Sequence, residues 1–245
     1  MIMPNVFLSP STQEYNPYYD NSGSEEYYMN IIADKMQPYL DAAGITYGRN
    51  DRTKKAGQAA RDSNKDSYGL HLAIHSNAAA PQNAGKQQGV DVYYYSGSAK
   101  GKQYADIIAE NFKKIYPFDF PVRAVPNTSF VELNSTRAPA ILIEVAYHDN
   151  PEDAEWIKNN LDLIAKNLAD SVIQISGLPS MASKGKVKTG GGRLNIRKTP
   201  SYDGEILYRV NDGDTLDVIS RDGEWFTVSK DGKKGYAVGK YITEK

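Results

Sequence analysis

Apolar positions in the first 175 residues follow two spacings, one typical of buried strands and one typical of helices. The clearest strand is predicted over 69–77, because Leu70, Leu72 and Ile74 recur at every second position. Further strands are predicted near 5–9, 45–48, 89–95 and 140–146, and helices near 24–43, 54–65, 98–115 and 151–175. Strands that alternate with helices predict a three-layer α/β domain, with a central twisted sheet flanked by helices.

The last 60 or so residues follow a different pattern. Helical spacing is absent there, and short alternating runs are separated by Asp-Gly pairs at 203–204, 212–213, 222–223 and 231–232. Regular short strands with such turns predict a small all-β barrel. Residues 184–245 carry 13 Lys or Arg and 9 Asp or Glu, whereas residues 1–183 carry 16 and 21. We therefore expect one domain over 1–177, a linker over 178–184 and a second domain over 185–245.

Composition narrows the classes of function. The net charge of −1 over 245 residues gives no indication of nucleic-acid binding. The chain has no cysteine, which excludes disulfides, thiolate metal sites and cysteine nucleophiles. No run of about 18 apolar residues occurs, so we expect no membrane insertion. The N-terminal residues lack the charged and apolar regions of a secretory signal peptide.

Two ionisable residues end two predicted buried strands. His75 closes the strand over 69–77, and Glu144 ends the apolar run that begins at Ala140. Catalytic and ligand-binding groups collect at the carboxyl ends of strands in α/β sheets. A histidine there is a candidate metal ligand or base, and a buried glutamate must be paired, neutral or bound to a metal. The two residues therefore predict one shared site.

The motifs around these residues resemble a known family. The segments Ile-His-Ser-Asn-Ala at 74–78, Gly-Val-Asp-Val-Tyr-Tyr at 89–94 and Pro-Ala-Ile-Leu-Ile-Glu at 139–144 resemble zinc-dependent N-acetylmuramoyl-L-alanine amidases of the amidase-3 type. Leu-Asn-Ile-Arg at 194–197 and Glu-Trp-Phe at 224–226 resemble bacterial SH3-like wall-binding domains. The pairing implies a peptidoglycan hydrolase of the phage endolysin or autolysin type.

The resemblance implies a zinc ion and names residues for it. Glu25 and His75 correspond to metal ligands, and Glu144 corresponds to the general acid/base. A catalytic zinc has three protein ligands and an open position for water. From the residues alone, Glu25 has an alternative role, because Ser22-Gly23-Ser24-Glu25 also fits a capping box at the start of a helix.

The remaining ligand of the family, a histidine just after the first strand, is absent here. Residues 9–15 read Ser-Pro-Ser-Thr-Gln-Glu-Tyr, and the chain has only three histidines. His71 cannot replace the missing ligand, because four residues of extended strand place it about 13 Å from His75. We predict His148 as the third ligand, since it follows Glu144 by four residues at the same end of the sheet. An oxygen from Gln13, Glu14 or Tyr15 is the alternative.

The resemblance also implies a substrate and a place of action. We expect cleavage of the amide bond between N-acetylmuramic acid and L-alanine in peptidoglycan of a Gram-positive-type cell wall, after release on lysis or export by another route. Candidate substrate-binding residues are Asn77, Tyr15 and Arg137. Two other functions remain open: a wall-binding pseudo-amidase with an impaired metal site, and a zinc peptidase that acts on the stem peptide.

Overall fold

The computed structural model describes residues 5–178 and 183–244 and divides the chain into two compact units, Met1–Leu178 and Pro179–Lys245. Most of the predicted linker over 178–184 lies outside the described residues. None of the helices among the described residues has the length and hydropathy needed to cross a membrane.

The first unit is built on a six-stranded mixed sheet. Its strands lie in the order β2-β1-β3-β6-β4-β5, and β4 is antiparallel to β6 while the other neighbours are parallel. The parallel arrangement of β1, β3 and β6 brings their carboxyl ends to one edge of the sheet. The bounds are β1 Asn5–Pro10, β2 Thr46–Arg49, β3 Leu70–Asn77, β4 Val90–Tyr95, β5 Val122–Asn127 and β6 Ala140–Tyr147.

Helices cover both faces of this sheet. The long helices α1 and α6 pack against each other, and α3 packs against α6 and against β4 and β5. The short helix α4 contacts α2 and β6, and its Leu133 packs with Ala73 and Leu142. The bounds are α1 Glu25–Ala42, α2 Ala56–Ser63, α3 Ala99–Phe112, α4 Val131–Asn134, α5 Pro151–Asn159 and α6 Leu161–Ile175.

Two segments differ from the sequence prediction. The region 117–139, which has no predicted strand or helix, contains β5 and α4. The single helix predicted from residue 151 is two helices, since α5 ends before Asn160 and α6 begins after it. Asn150 caps α5, accepting hydrogen bonds from the backbone N–H groups of Glu152 and Asp153.

The second unit is a seven-stranded antiparallel sheet in the order β13-β7-β10-β11-β12-β8-β9. Its buried core includes Val187, Ile196, Val228 and Ala237. The predicted fold class, a flanked α/β sheet followed by an all-β SH3-like segment, is therefore confirmed. The bounds are β7 Ser183–Val187, β8 Arg193–Arg197, β9 Ile206–Asn211, β10 Thr215–Asp222, β11 Trp225–Lys230, β12 Lys233–Val238 and β13 Ile242–Glu244.

Candidate active site

The strand register brings His75 and Glu144 together. The two residues are direct partners in the parallel pairing of β3 with β6, so their side chains leave the same face of the sheet side by side. Both residues line one cleft of about 730 Å³. Residues of the same face on neighbouring strands also approach this place, namely Ser9 of β1 and Asp91, which is opposite Glu144 on β4.

Glu144 is an acid without a hydrogen-bond partner. Its Oε2 is buried and accepts no hydrogen bond from any described residue. Burial disfavours the charged carboxylate and raises the pKa of Glu144 to about 8; the Glu25 and Asp91 carboxylates act in the same direction, while His75 partly opposes them. Glu144 therefore holds its proton near neutral pH and can release it within the physiological range.

Glu25 enters the site from the first turn of α1. Ser24 is the N-cap, and its side chain accepts a hydrogen bond from the backbone N–H of Tyr27. The carboxylate of Glu25 accepts hydrogen bonds from His75 Nδ1 at 2.7 Å and from Asn16 Nδ2 at 2.9 Å, and the residue is only 1% exposed. Glu25 therefore does not close a capping box, and its side chain is directed at the histidine.

Carboxylates face both ring nitrogens of His75. Nδ1 meets Glu25, and Nε2 lies 3.7 Å from Oε1 of Glu132, a residue of α4. Burial opposes the charged imidazolium, but Glu132 and Glu25 outweigh this effect and raise the pKa of His75 well above its usual range. The same contacts lower the pKa of Glu25, although burial opposes that change. The imidazole is therefore fixed between two anions.

Gln13 occupies the segment in which the family's first histidine is missing. Its Nε2 donates to Oε1 of Glu25 at 3.3 Å and lies 3.4 Å from His75 Nδ1. Its Oε1 accepts hydrogen bonds from Asn16 at 3.1 Å and from Tyr15 at 3.3 Å. Of the three residues considered for this segment, Gln13 is the one that touches both Glu25 and His75.

His148 is placed differently from the sequence prediction. Its Nδ1 donates to the backbone oxygen of Ser76 at 2.9 Å, and its ring stacks on Tyr18 with centroids 5.2 Å apart. Successive side chains of a strand point to opposite faces, so the Ser76 side chain, 3.0 Å from the same nitrogen, points away from the face that carries His75. The β3–β6 register also shifts beyond His75, and Ala146 has a φ of 56°. This local bulge directs the following residues away from the cleft.

Glu132 is the residue of the site that sequence reasoning missed. It is 3% exposed, accepts hydrogen bonds from Ser9 Oγ at 2.5 Å and from His71 Nε2 at 2.8 Å, and lines the cleft. Burial raises its pKa, but the hydrogen bond from His71 and the nearby His75 ring outweigh burial and lower the pKa to about 2. In the sequence, Glu132 is an acidic residue among apolar ones, in Phe130-Val131-Glu132-Leu133. This segment is too short to show the periodic spacing that would have predicted a helix.

The candidate substrate-binding residues are only partly gathered at the cleft. Tyr15 lines it and is 74% exposed, so its ring is available for contact. Asn77 and Arg137 are not among the residues that line it. Arg137 precedes β6 and therefore lies toward the opposite edge of the sheet, where its backbone N–H donates to Asn64. The Asn77 backbone oxygen accepts from the His148 N–H.

The donors near His75 partly fit a metal ion. Within residues 5–178 and 183–244, no three His, Asp or Glu side chains form a metal-binding group, so the predicted set of Glu25, His75 and His148 is not gathered. Glu25 and His75 do converge, and Gln13 adds a side-chain amide in contact with both. A carboxylate and an imidazole are donors that divalent cations accept, whereas Gln13 presents its amide nitrogen, which is not a metal donor, to both residues.

Comparisons with known proteins agree with the fold and the motifs. The profile of the N-acetylmuramoyl-L-alanine amidase family matches residues 12–174, and that of the bacterial SH3 domain matches residues 192–243. The chain is 28% identical over 151 residues to the N-acetylmuramoyl-L-alanine amidase CwlM of Bacillus licheniformis, covering 60% of this chain and 56% of CwlM. It is 26% identical over 163 residues to the endolysin of Bacillus phage SPP1, covering 64% and 53%.

Solved structures show the same fold. The N-acetylmuramoyl-L-alanine amidase from Clostridium difficile 630 superposes with a TM-score of 0.64 at 19% identity, covering 71% of this chain and 97% of that one. The chain spans about half the length of the curated relatives it matches. The resemblance drawn from the sequence motifs is confirmed, and because the amidase profile covers more than half of its residues, the chain belongs to the N-acetylmuramoyl-L-alanine amidase family.

Proposed function

We propose that the first unit hydrolyses the amide bond between N-acetylmuramic acid and L-alanine of peptidoglycan. The observation that carries this proposal is that His75 and Glu144 line one cleft, with Glu25 in contact with His75, in a member of the amidase family. Glu25 and His75 supply a carboxylate and an imidazole as ligands for a cation. Glu144 supplies a proton that can be exchanged near neutral pH.

Glu25 and His75 would hold a zinc ion, and Gln13 would be the third donor after its amide turns to bring Oε1, in place of Nε2, beside them. When bound, zinc polarises a carbonyl and lowers the pKa of a water molecule. The amide is a weaker donor for zinc than the family's imidazole, because zinc prefers nitrogen and thiolate ligands to carbonyl oxygen. We therefore expect a looser metal site than three strong ligands would give.

Glu144 would move the protons of the reaction. A general acid/base works best when its pKa lies near the working pH, and burial brings the Glu144 pKa to about 8. Its carboxylate can accept the proton of the attacking water, and its carboxylic acid can give that proton to the nitrogen of the departing L-alanine. No described residue donates a hydrogen bond to the buried Oε2, so no side chain competes for this proton.

The test is cleavage of purified peptidoglycan by the wild type and by Glu144→Gln. We expect the variant to retain metal and lose about 10²–10⁴-fold in rate, the usual effect of removing a general base. Glu26→Gln is the control, because Glu26 lines the same cleft but pairs with Arg52. Near-normal turnover by Glu144→Gln would refute the assignment.

The released amine separates this function from its alternatives. A new amine on L-alanine indicates the amidase, and a new amine deeper in the stem peptide indicates a zinc peptidase. The missing first histidine favours one further candidate, a wall-binding pseudo-amidase. That function would show as intact wall binding with no cleavage when zinc is supplied.

The second unit is proposed to hold the protein on a Gram-positive-type cell wall. A groove of about 360 Å³ is lined by Tyr202, Tyr241, Arg193 and Arg197, which combine flat aromatic faces with cations. Tyrosine suits sugar or peptide contacts because it joins an apolar face to a hydroxyl group. Tyr241→Ala should reduce the fraction of protein that sediments with walls, while cleavage of soluble muropeptides remains unchanged.

A further inference from the structure

Glu132 has two carboxylate oxygens with different surroundings. Oε2 is held by two donors, the hydroxyl of Ser9 at 2.5 Å and Nε2 of His71 at 2.8 Å. Oε1 lies 3.7 Å from His75 Nε2, just beyond hydrogen-bond length. His71 is itself fixed, since it is fully buried and its ring stacks on Phe7 with an interplanar angle of 15°. The fold therefore holds one oxygen of Glu132 and directs the other at His75.

With Glu132 in this position, each ring nitrogen of His75 faces a carboxylate. Nδ1 of the ring faces Glu25 and Gln13, and Nε2 is buried with no partner at hydrogen-bond length among the described residues. Where a histidine binds a metal through one nitrogen, its other nitrogen usually donates an N–H to a carboxylate or carbonyl, which fixes the ring and strengthens the ligand. Among the described carboxylates, Glu132 faces Nε2 and Glu25 faces Nδ1.

We propose that Glu132 is a positioning residue that orients the His75 ring so that Nδ1 faces Glu25 and the metal position. The inference rests on the proposed function for the identity of the metal, but the orientation of the ring does not depend on it. Ser9 and His71 hold Glu132 in place, because their hydrogen bonds restrain Oε2 and leave Oε1 directed at His75. Glu132 itself need not contact substrate or metal for this role.

The experiment compares Glu132→Gln with Glu26→Gln in the full-length protein. Glu26 is the matched control, since it is a second glutamate of the same cleft and its carboxylate pairs with Arg52 at 3.8 Å. Zinc affinity is measured by competition with a chromophoric chelator. We expect Glu132→Gln to lower zinc affinity about 10–100-fold, as removal of such an outer partner usually does, and Glu26→Gln to leave it unchanged.

A second measurement follows the His75 ring in zinc-free protein by long-range proton–nitrogen NMR. Glu132→Gln should shift the Nε2 signal of His75, whereas Glu26→Gln should not. This readout separates the two proposals: a wild type that binds no zinc contradicts the metal site, while an Nε2 signal unmoved by Glu132→Gln overturns the positioning role.

A purely structural role for Glu132 predicts another result. Glu132→Gln would then lower thermal stability and leave zinc affinity and the Nε2 signal unchanged, which overturns the proposal. If Glu132→Gln does not fold, Ser9→Ala replaces it, because that change removes one of the two donors to Oε2 while retaining the carboxylate. Ser9→Ala should lower zinc affinity in the same direction but by less, and an unchanged affinity would again overturn the proposal.

Discussion

In zinc-free protein, Glu144→Gln should gain stability relative to the wild type as the pH rises from 5 to 9. The carboxyl of Glu144 is buried, and its Oε2 has no hydrogen-bond partner among the described residues. Below about pH 4.5 the group is protonated in both the folded and the unfolded chain. Between its ordinary pKa of 4.5 and its folded pKa of about 8, the unfolded chain releases the proton while the folded chain keeps it. Wild-type stability therefore falls as pH rises through this range.

The size of the effect follows from the same two pKa values. A rise from 4.5 to about 8, at about 1.4 kcal/mol for each pKa unit, sets a ceiling of roughly 5 kcal/mol above pH 8. Glutamine cannot ionise, so the variant lacks this loss. Its buried amide has a cost of its own, but that cost is independent of pH. The prediction therefore concerns the change in the stability difference between pH 5 and pH 9.

Urea unfolding in the presence of a chelator measures this difference. The chain has two tryptophans, Trp156 in the first unit and Trp225 in the second. In a Trp225→Phe background the fluorescence reports Trp156, which is buried against Tyr116. Wild type and variant are compared at pH 5, 7 and 9, and we expect the variant to gain stability relative to the wild type at each step. If the difference in free energy of unfolding between variant and wild type stays constant from pH 5 to pH 9, ionisation of Glu144 does not destabilise the folded protein, and the reasoning is refuted.

The remaining predictions concern the metal and the second unit. Gln13→Ala should reduce bound zinc per chain, because it removes the side chain that contacts both Glu25 and His75, whereas His148→Ala should retain zinc and lose stability through the Ser76 contact. Metal analysis of the two variants beside His75→Ala decides this. Zinc loss in the His148 and His75 variants, with zinc retained in the Gln13 variant, would restore the ligand set expected from sequence. Residues 1–178 alone should cleave soluble muropeptides but sediment poorly with intact walls, since a linked binding module raises local concentration without new catalytic contacts. Equal sedimentation of both forms would contradict the role of the second unit.

Sequence patterns predicted the parts of the site that regular strands position. Alternation over 69–77 placed Leu70, Leu72 and Ile74 on one face and His75 on the other, and the apolar run before Glu144 identified its neighbour strand. Because the carboxyl ends of parallel strands meet at one edge, the two residues could be expected together before the register was known. The register of β3 with β6 makes them direct partners.

The positions of site residues outside the regular strands could not be predicted from the sequence patterns. His148 follows Glu144 by four residues, but the shift in register after His75 and the positive φ of Ala146 turn it toward Ser76. Glu132 lies on a helix of only four residues, too short to produce a periodic signal. Gln13 lies in a loop, and only its contacts with Glu25 and His75 distinguish it from Glu14 and Tyr15.

The distribution of charge in the site supports the proposal that Glu144 carries the proton. Four carboxylates lie at this edge of the sheet, and three of them are paired: Glu25 with His75 at 2.7 Å, Glu132 with His71 at 2.8 Å and Asp91 with Arg123 at 2.7 Å. The histidine contacts stabilise Glu25 and Glu132 as anions, so these two groups do not readily accept a proton near neutral pH. Glu144 alone among these four has a buried oxygen without a partner, and the negative charges of Glu25 and Asp91 further oppose its ionisation. Environments that separate the pKa values of neighbouring acids assign their roles in catalysis. The paired carboxylates contact histidines and a cation, and Glu144, the one acid of these four without a pair, is therefore the residue that we propose carries the proton.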